Sequence, residues 1–178
     1  MRILMKGILI MGLATILGAC GVSVDDYNDQ QPQMDIQEYF TGPIKAWGIV
    51  QDRTGKVRRR FDIDLHGSWD GDEGVLKEQF HYYDGEEQKR EWRIRKLSNN
   101  KFEGFADDVP DKATGESSGN AVRWAYALDV PVGDSVYTLQ IDDWMFLMND
   151  GVLINRSYMK KFGIKVGELT IFMKKDVE

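Results

Sequence analysis

The chain has 178 residues, 29 acidic against 23 basic, a formal net charge of −6 and an isoelectric point near 5.0. That length makes one domain with a substantial core, and that charge repels nucleic acid, which excludes a nucleic-acid partner. A single Cys excludes an intrachain disulfide, so the fold stands on its core, for which five Trp, seven Tyr and eight Phe supply the apolar surface.

Residues 1–19 read as a signal peptide. Arg2 and Lys6 form a basic start, an apolar run follows from Gly7 to Leu17, and small residues Gly18 and Ala19 precede Cys20. The run is too short to span a bilayer, which takes about 20 residues. Leu17-Gly18-Ala19-Cys20 resembles the bacterial lipobox, which implies cleavage before Cys20 and lipidation of its thiolate. Gly21 and Val22 after the Cys, with no Asp, imply the periplasmic face of the outer membrane. Residues 20–35 are polar and aperiodic and read as a flexible tether, and residues 36–178 as the folded domain.

That domain opens with Gln37 to Phe40, enough for one helical turn, and then Ala46 to Gln51. From there the period is two. In Val57 to His66, Val57, Arg59, Phe61, Ile63 and Leu65 share one face. Leu76, Glu78, Phe80 and Tyr82 repeat the pattern, as do Arg90, Trp92 and Ile94, and then Phe102, Gly104 and Ala106. Residues 107–120 are polar and read as a loop or lid. Val122 to Val130, Val136 to Trp144, Val152 to Met159 and Glu168 to Met173 complete the strands. Short turns rich in Gly, Asn and Asp join them, which forces antiparallel neighbours. The expectation is an all-β chain of about 8–10 strands, nine of them visible in the pattern, closed into an up-and-down barrel that hides its edges.

Several local sequences are distinctive together: Ala46-Trp47-Gly48, Gln51-Asp52-Arg53 with Gly55, Gly119-Asn120-Ala121, Asp142-Asp143-Trp144-Met145 and Lys161-Phe162-Gly163. With the lipobox they resemble a family of small proteobacterial lipoproteins known as a domain of unknown function. The resemblance spans nearly the whole mature chain. It implies a calycin-like barrel, akin to lipocalins, and no established activity.

Nucleophilic catalysis has little support. His66 and His81 fall on the faces opposite the apolar ones, and no Gly-x-Ser-x-Gly elbow is present. Asp70-Gly71-Asp72-Glu73-Gly74 opens like a calcium loop, but the twelfth position is His81, so no metal or cofactor is expected. In Asp142-Asp143 one carboxylate must face inward and needs a partner, for which Arg156, Arg123 and Glu78 are candidates. An aromatic stripe including Trp92, Trp124, Tyr126 and Trp144 is either solid core or a cavity wall. The candidate ligand-binding set is therefore Trp92, Trp124, Tyr126, Asp142, Asp143, Trp144 and Arg156. Three functions stand: a non-enzymatic carrier for a lipid or small apolar ligand, an envelope scaffold with a filled barrel, or a hydrolase or isomerase using Asp142 and Asp143.

Overall fold

The structure is a computed structural model and describes residues 21–175. Cys20 and the signal segment lie outside the described residues. Ten strands form one closed antiparallel barrel in simple up-and-down order: β1 (Gly42–Asp52), β2 (Val57–Asp70), β3 (Glu73–Tyr82), β4 (Glu87–Ser98), β5 (Lys101–Phe105), β6 (Ala113–Ser118), β7 (Ala121–Val132), β8 (Ser135–Leu147), β9 (Val152–Lys161) and β10 (Ile164–Lys175). β10 pairs with β1, from Ile44 opposite Lys175 to Asp52 opposite Gly167, so no sheet edge is left open. The apolar parity of each strand points inward. On β2, Phe61, Ile63 and Leu65 are buried while Asp64 and His66 are exposed. Each such buried side chain contributes about 1.5–3 kcal/mol.

One strand has no hydrophobic signature. β6 lies inside the stretch read as a lid, and its inward residues are Ala113, Gly115 and Ser117. Gly115, directly opposite Trp124, must be small because that ring lies on it. A Cβ at Gly115 would meet that ring at 2.8 Å. Small residues carry no alternating pattern, so period two is silent there. What remains of the loop, residues 106–112, still crosses the barrel end.

The two barrel ends differ. At one, the short helix α1 (Ile36–Tyr39) lies across the opening, with Ile36, Tyr39 and Phe40 buried. Asp35 caps it by accepting from the Glu38 N–H at 3.0 Å. The Trp69 indole N–H donates to the Phe40 carbonyl at 3.3 Å, and Gly67 lets that carbonyl approach, since a Cβ there would sit 1.7 Å from it. At the other end only the turns β1–β2, β3–β4, β5–β6, β7–β8 and β9–β10 surround the mouth.

The tether reading fails for residues 24–35. A 3₁₀ turn at Val24–Tyr27, closed by a Ser23–Asp26 capping box, packs on the outer wall. Val24 and Met34 are buried, and the Met34 N–H donates to the Gly119 carbonyl at 2.8 Å. Few apolar residues sufficed, because the wall offers its own: Tyr27 tilts against Trp144 and Phe146, with ring centroids 5.9 and 5.3 Å away.

Candidate functional site

Strand alternation places a polar group inside the apolar barrel. Glu78 on β3 and Arg90 on β4 are direct partners across their hairpin, and both point inward with Leu76, Phe80, Trp92 and Ile94. On the opposite wall, Asp143 on β8 stands in a row with Trp124 on β7 and Ser157 on β9. Asn155 is the next inward residue of β9. Between them lies a chamber of about 100 Å³, walled by these residues with Tyr126, Met145 and Ile171, and floored by Ile36 and Phe40 of the plug. That space holds several waters or a group a little smaller than benzene.

Asp143 has two donors on one carboxylate oxygen. Its Oδ1 accepts from the Ser157 hydroxyl at 2.7 Å and from the Asn155 amide, whose N–H also reaches the Trp144 carbonyl at 3.1 Å. Burial pushes its carboxyl above the usual range, against the pull of those two donors and of Arg90.

Glu78 is not provided for. Protein surrounds it, yet it keeps accessible surface, because that surface faces the chamber. Its Oε2 has no hydrogen-bond partner. Burial lifts its carboxyl from 4.5 to about 7, with Arg90 opposing and Asp108 and Asp143 adding to the rise. Arg90 is drawn the other way, toward the mouth. Its Nε donates to Asp108 Oδ1 at 3.1 Å, and its guanidinium covers the Trp92 ring at 4.4 Å. Nη2 lies 3.0 Å from that same oxygen at an angle that makes no hydrogen bond, so its N–H groups stay unused. Asp108 belongs to the 106–112 crossing, which thereby latches the mouth over Arg90. Tyr126 meets Trp92 edge-on at 5.5 Å, and burial, then the Asp143 charge, pushes its hydroxyl far above the ordinary phenol.

The mouth is aromatic as well. Phe61, Phe80 and Tyr82 cluster with centroids 5.5–5.9 Å apart. The Arg59 guanidinium lies 3.5 Å over the Tyr82 ring and pairs with Asp84 and Glu86 at 3.0 and 2.9 Å.

Four of the seven candidates thus meet in the interior: Trp92, Trp124, Tyr126 and Asp143. Three do not. Asp142 faces outward, where burial raises its carboxyl but Arg123 at 2.8 Å and Lys160 at 3.0 Å bring it below the usual range. Arg156 also faces outward and pairs with Glu168 at 2.6 Å rather than with either Asp. Trp144 is buried, but on the outer wall beneath Val24 and Tyr27. Alternation decides all three, since they share the parity opposite Asp143 and Ser157. Acid–base chemistry by Asp142 with Asp143 is overturned for the same reason: their carboxylates lie on opposite faces of the wall. Glu78, named only as a possible partner for an inward Asp, and Arg90 already stood on the apolar parity of their strands, where a charge was the available signal; Asn155 and Ser157 were missed as well.

The fold has a solved counterpart. An S-type phycobiliprotein lyase, CPES from Guillardia theta, superposes with a TM-score of 0.57 over 82% of this chain and 95% of its own, at 8% identity. The likeness is one of fold, a calycin-like barrel. No curated protein matches the chain. Residues 14–175 match the family described as protein of unknown function DUF3833. The chain belongs to that family.

Proposed function

We propose that this protein is a binding barrel: it takes up a small amphiphile in its interior and holds it at the cell envelope, without transforming it. One observation carries the reading. An apolar, Trp-lined chamber is walled by Glu78 and Arg90, whose buried Oε2 and Nη2 make no hydrogen bond within the protein, although Nη2 lies 3.0 Å from Asp108. Buried polar groups are nearly always satisfied, and a ligand head group is what would satisfy these.

The charges select that head group. Among the described residues that line the chamber, Glu78 and Asp143 stand with one guanidinium, that of Arg90, already tied to Asp108. A fatty-acid carboxylate would add a further negative charge. A hydroxyl, amide or amine donates to Glu78 instead, and a neutral polar head also accepts from Arg90. The chamber takes the head and a few carbons, so a long acyl chain would pass out through the aromatic mouth once the Arg90–Asp108 latch opens. The Trp92 and Trp124 rings report the event.

Dodecanol, dodecylamine and dodecanoate distinguish the head groups. At pH 8 the alcohol or the amine should shift Trp emission and raise the melting temperature of the full chain, and Glu78→Gln should weaken the amine most. If none of the three does so, and native mass spectrometry of protein from its own host shows no bound small molecule, the filled-barrel scaffold replaces the carrier.

The anchor follows from the lipobox. Cys20 carries the lipid, which holds the barrel on the periplasmic face of the outer membrane. Metabolic labelling with a palmitate analogue should mark the wild type and not Cys20→Ser, and equal labelling of both overturns the anchor.

A further inference from the structure

We infer that the mouth end of the barrel docks on a lipid bilayer carrying anionic head groups, through the tips of the β7–β8 and β9–β10 hairpins. This goes beyond the binding reading and stands on separate residues. The β9–β10 turn projects Phe162, 91% exposed and held at a φ of 51°, with Ile164 beside it at 68%. The β7–β8 turn, Gly133-Asp134, is flanked by exposed Val132 and Val136, at 57% and 66%, and Tyr137, so its one acid stands at the apex between apolar neighbours. Lys161 joins the two hairpins: its Nζ lies 3.9 Å over the Tyr137 ring and 5.7 Å from the Phe162 ring.

Large apolar side chains normally leave water, and a contiguous set at one end of a molecule marks a contact surface. The shape of this set selects its occupant. Protein interfaces gather apolar residues into a packed patch with charge kept to the rim. Here the set covers two convex hairpin tips, with Lys161 lying between the Tyr137 and Phe162 rings. Tips of this kind enter the interfacial layer of a bilayer, while Lys stems lie along the apolar zone and their ammonium groups meet head-group phosphates.

Charge fixes the orientation. The chain as a whole is acidic and is repelled by an anionic surface. The β9–β10 tip runs against that balance, with Lys160, Lys161 and Lys165 close together. Asp142 and Glu168 neutralise two of these, and among the described residues Lys161 has no carboxylate partner. At the plugged end the β2–β3 turn, Asp70-Gly71-Asp72-Glu73, is acidic. Docking by the two hairpins therefore sets the mouth against lipid and the plug toward the aqueous side.

A position-specific probe separates this contact from any attachment through the N-terminal segment. Cys20→Ser removes the sole Cys of the full chain, and Phe162→Cys or Ile164→Cys then carries an environment-sensitive fluorophore at the tip. Asp72→Cys labels the opposite end. With vesicles of phosphatidylethanolamine and phosphatidylglycerol, the tip labels should shift to the blue and be quenched by spin-labelled lipid, while the label at position 72 stays as in water. Neutral phosphatidylcholine vesicles should give a several-fold weaker response. In the label-at-164 background, Phe162→Asp should lower apparent vesicle affinity of the tip about tenfold. An unresponsive tip, an equal response at position 72, or an equal response on neutral lipid overturns the proposal.

Discussion

Asp143 and Glu78 look into the same chamber from opposite walls, and the protein treats them differently. Asp143 receives a hydroxyl and an amide from β9, the strand beside its own. Glu78 has Arg90 directly across its hairpin, yet Arg90 turns to Asp108 and leaves Glu78 Oε2 unpaired. A buried carboxylate with neutral donors in place belongs to the wall. One without them carries a desolvation cost that folding tolerates and a bound donor would relieve. Two inward acids on one scaffold therefore separate holding the barrel from serving its contents.

Deleting the satisfied acid should do the most harm. Asp143→Ala strands the Ser157 hydroxyl, leaves the Asn155 amide with the Trp144 carbonyl alone and opens a void, at a cost of about 3 kcal/mol. Thermal melting or urea denaturation measures it. A loss no greater than that of Glu78→Ala would erase the distinction between the two walls.

Glu78→Gln should act in the other direction, and only at high pH. The Glu78 carboxyl rises from 4.5 to about 7 on folding, so between those values the native protein keeps a proton that the unfolded chain releases. Stability is lost as pH climbs through that window, and the penalty is complete above it. Gln never ionises. The variant should gain on the order of 2 kcal/mol at pH 8 and match the wild type at pH 4. An identical gain at both pH values would place the cost in packing, not in charge.

How far these two residues were legible in advance is instructive. The period-two pattern carried the barrel, and it placed Glu78 between Leu76 and Phe80 and Arg90 beside Trp92, on the inward face. Their pairing across the Asp84-Gly85 turn follows from the same alternation. The pattern has no term for where a long side chain goes next, so the turn of Arg90 toward Asp108 was invisible. It was silent wherever size replaced hydrophobicity, as in Ala113, Ser117 and, beneath Trp124, Gly115. It also misjudged residues 24–35, because what buries Val24 and Tyr27 is an apolar strip on the outer wall, contributed by Ala121, Trp144 and Phe146 far along the chain. Choosing between Asp142 and Asp143 needed the parity of β8 to be anchored, and Ile141 and Met145 on either side of the pair were the anchor.

The smallest effect tests the outer wall. Arg156 was a candidate partner for an inward Asp, and it lies outside, half exposed, with Nε 2.6 Å from Glu168 and its guanidinium 5.0 Å over the Tyr158 ring. Its removal leaves Glu168 with Lys165 at 3.1 Å, so no charge is stranded. Water and salt screen what remains of such a pair. Arg156→Ala should therefore cost under about 1 kcal/mol, shrink toward nothing in 0.5 M salt, and leave ligand-induced Trp fluorescence unchanged. If it instead cost as much as Asp143→Ala, or abolished the fluorescence response, the outer face of β9 would be part of the site, and the line drawn between an inner wall that binds and an outer wall that merely solvates would be in the wrong place.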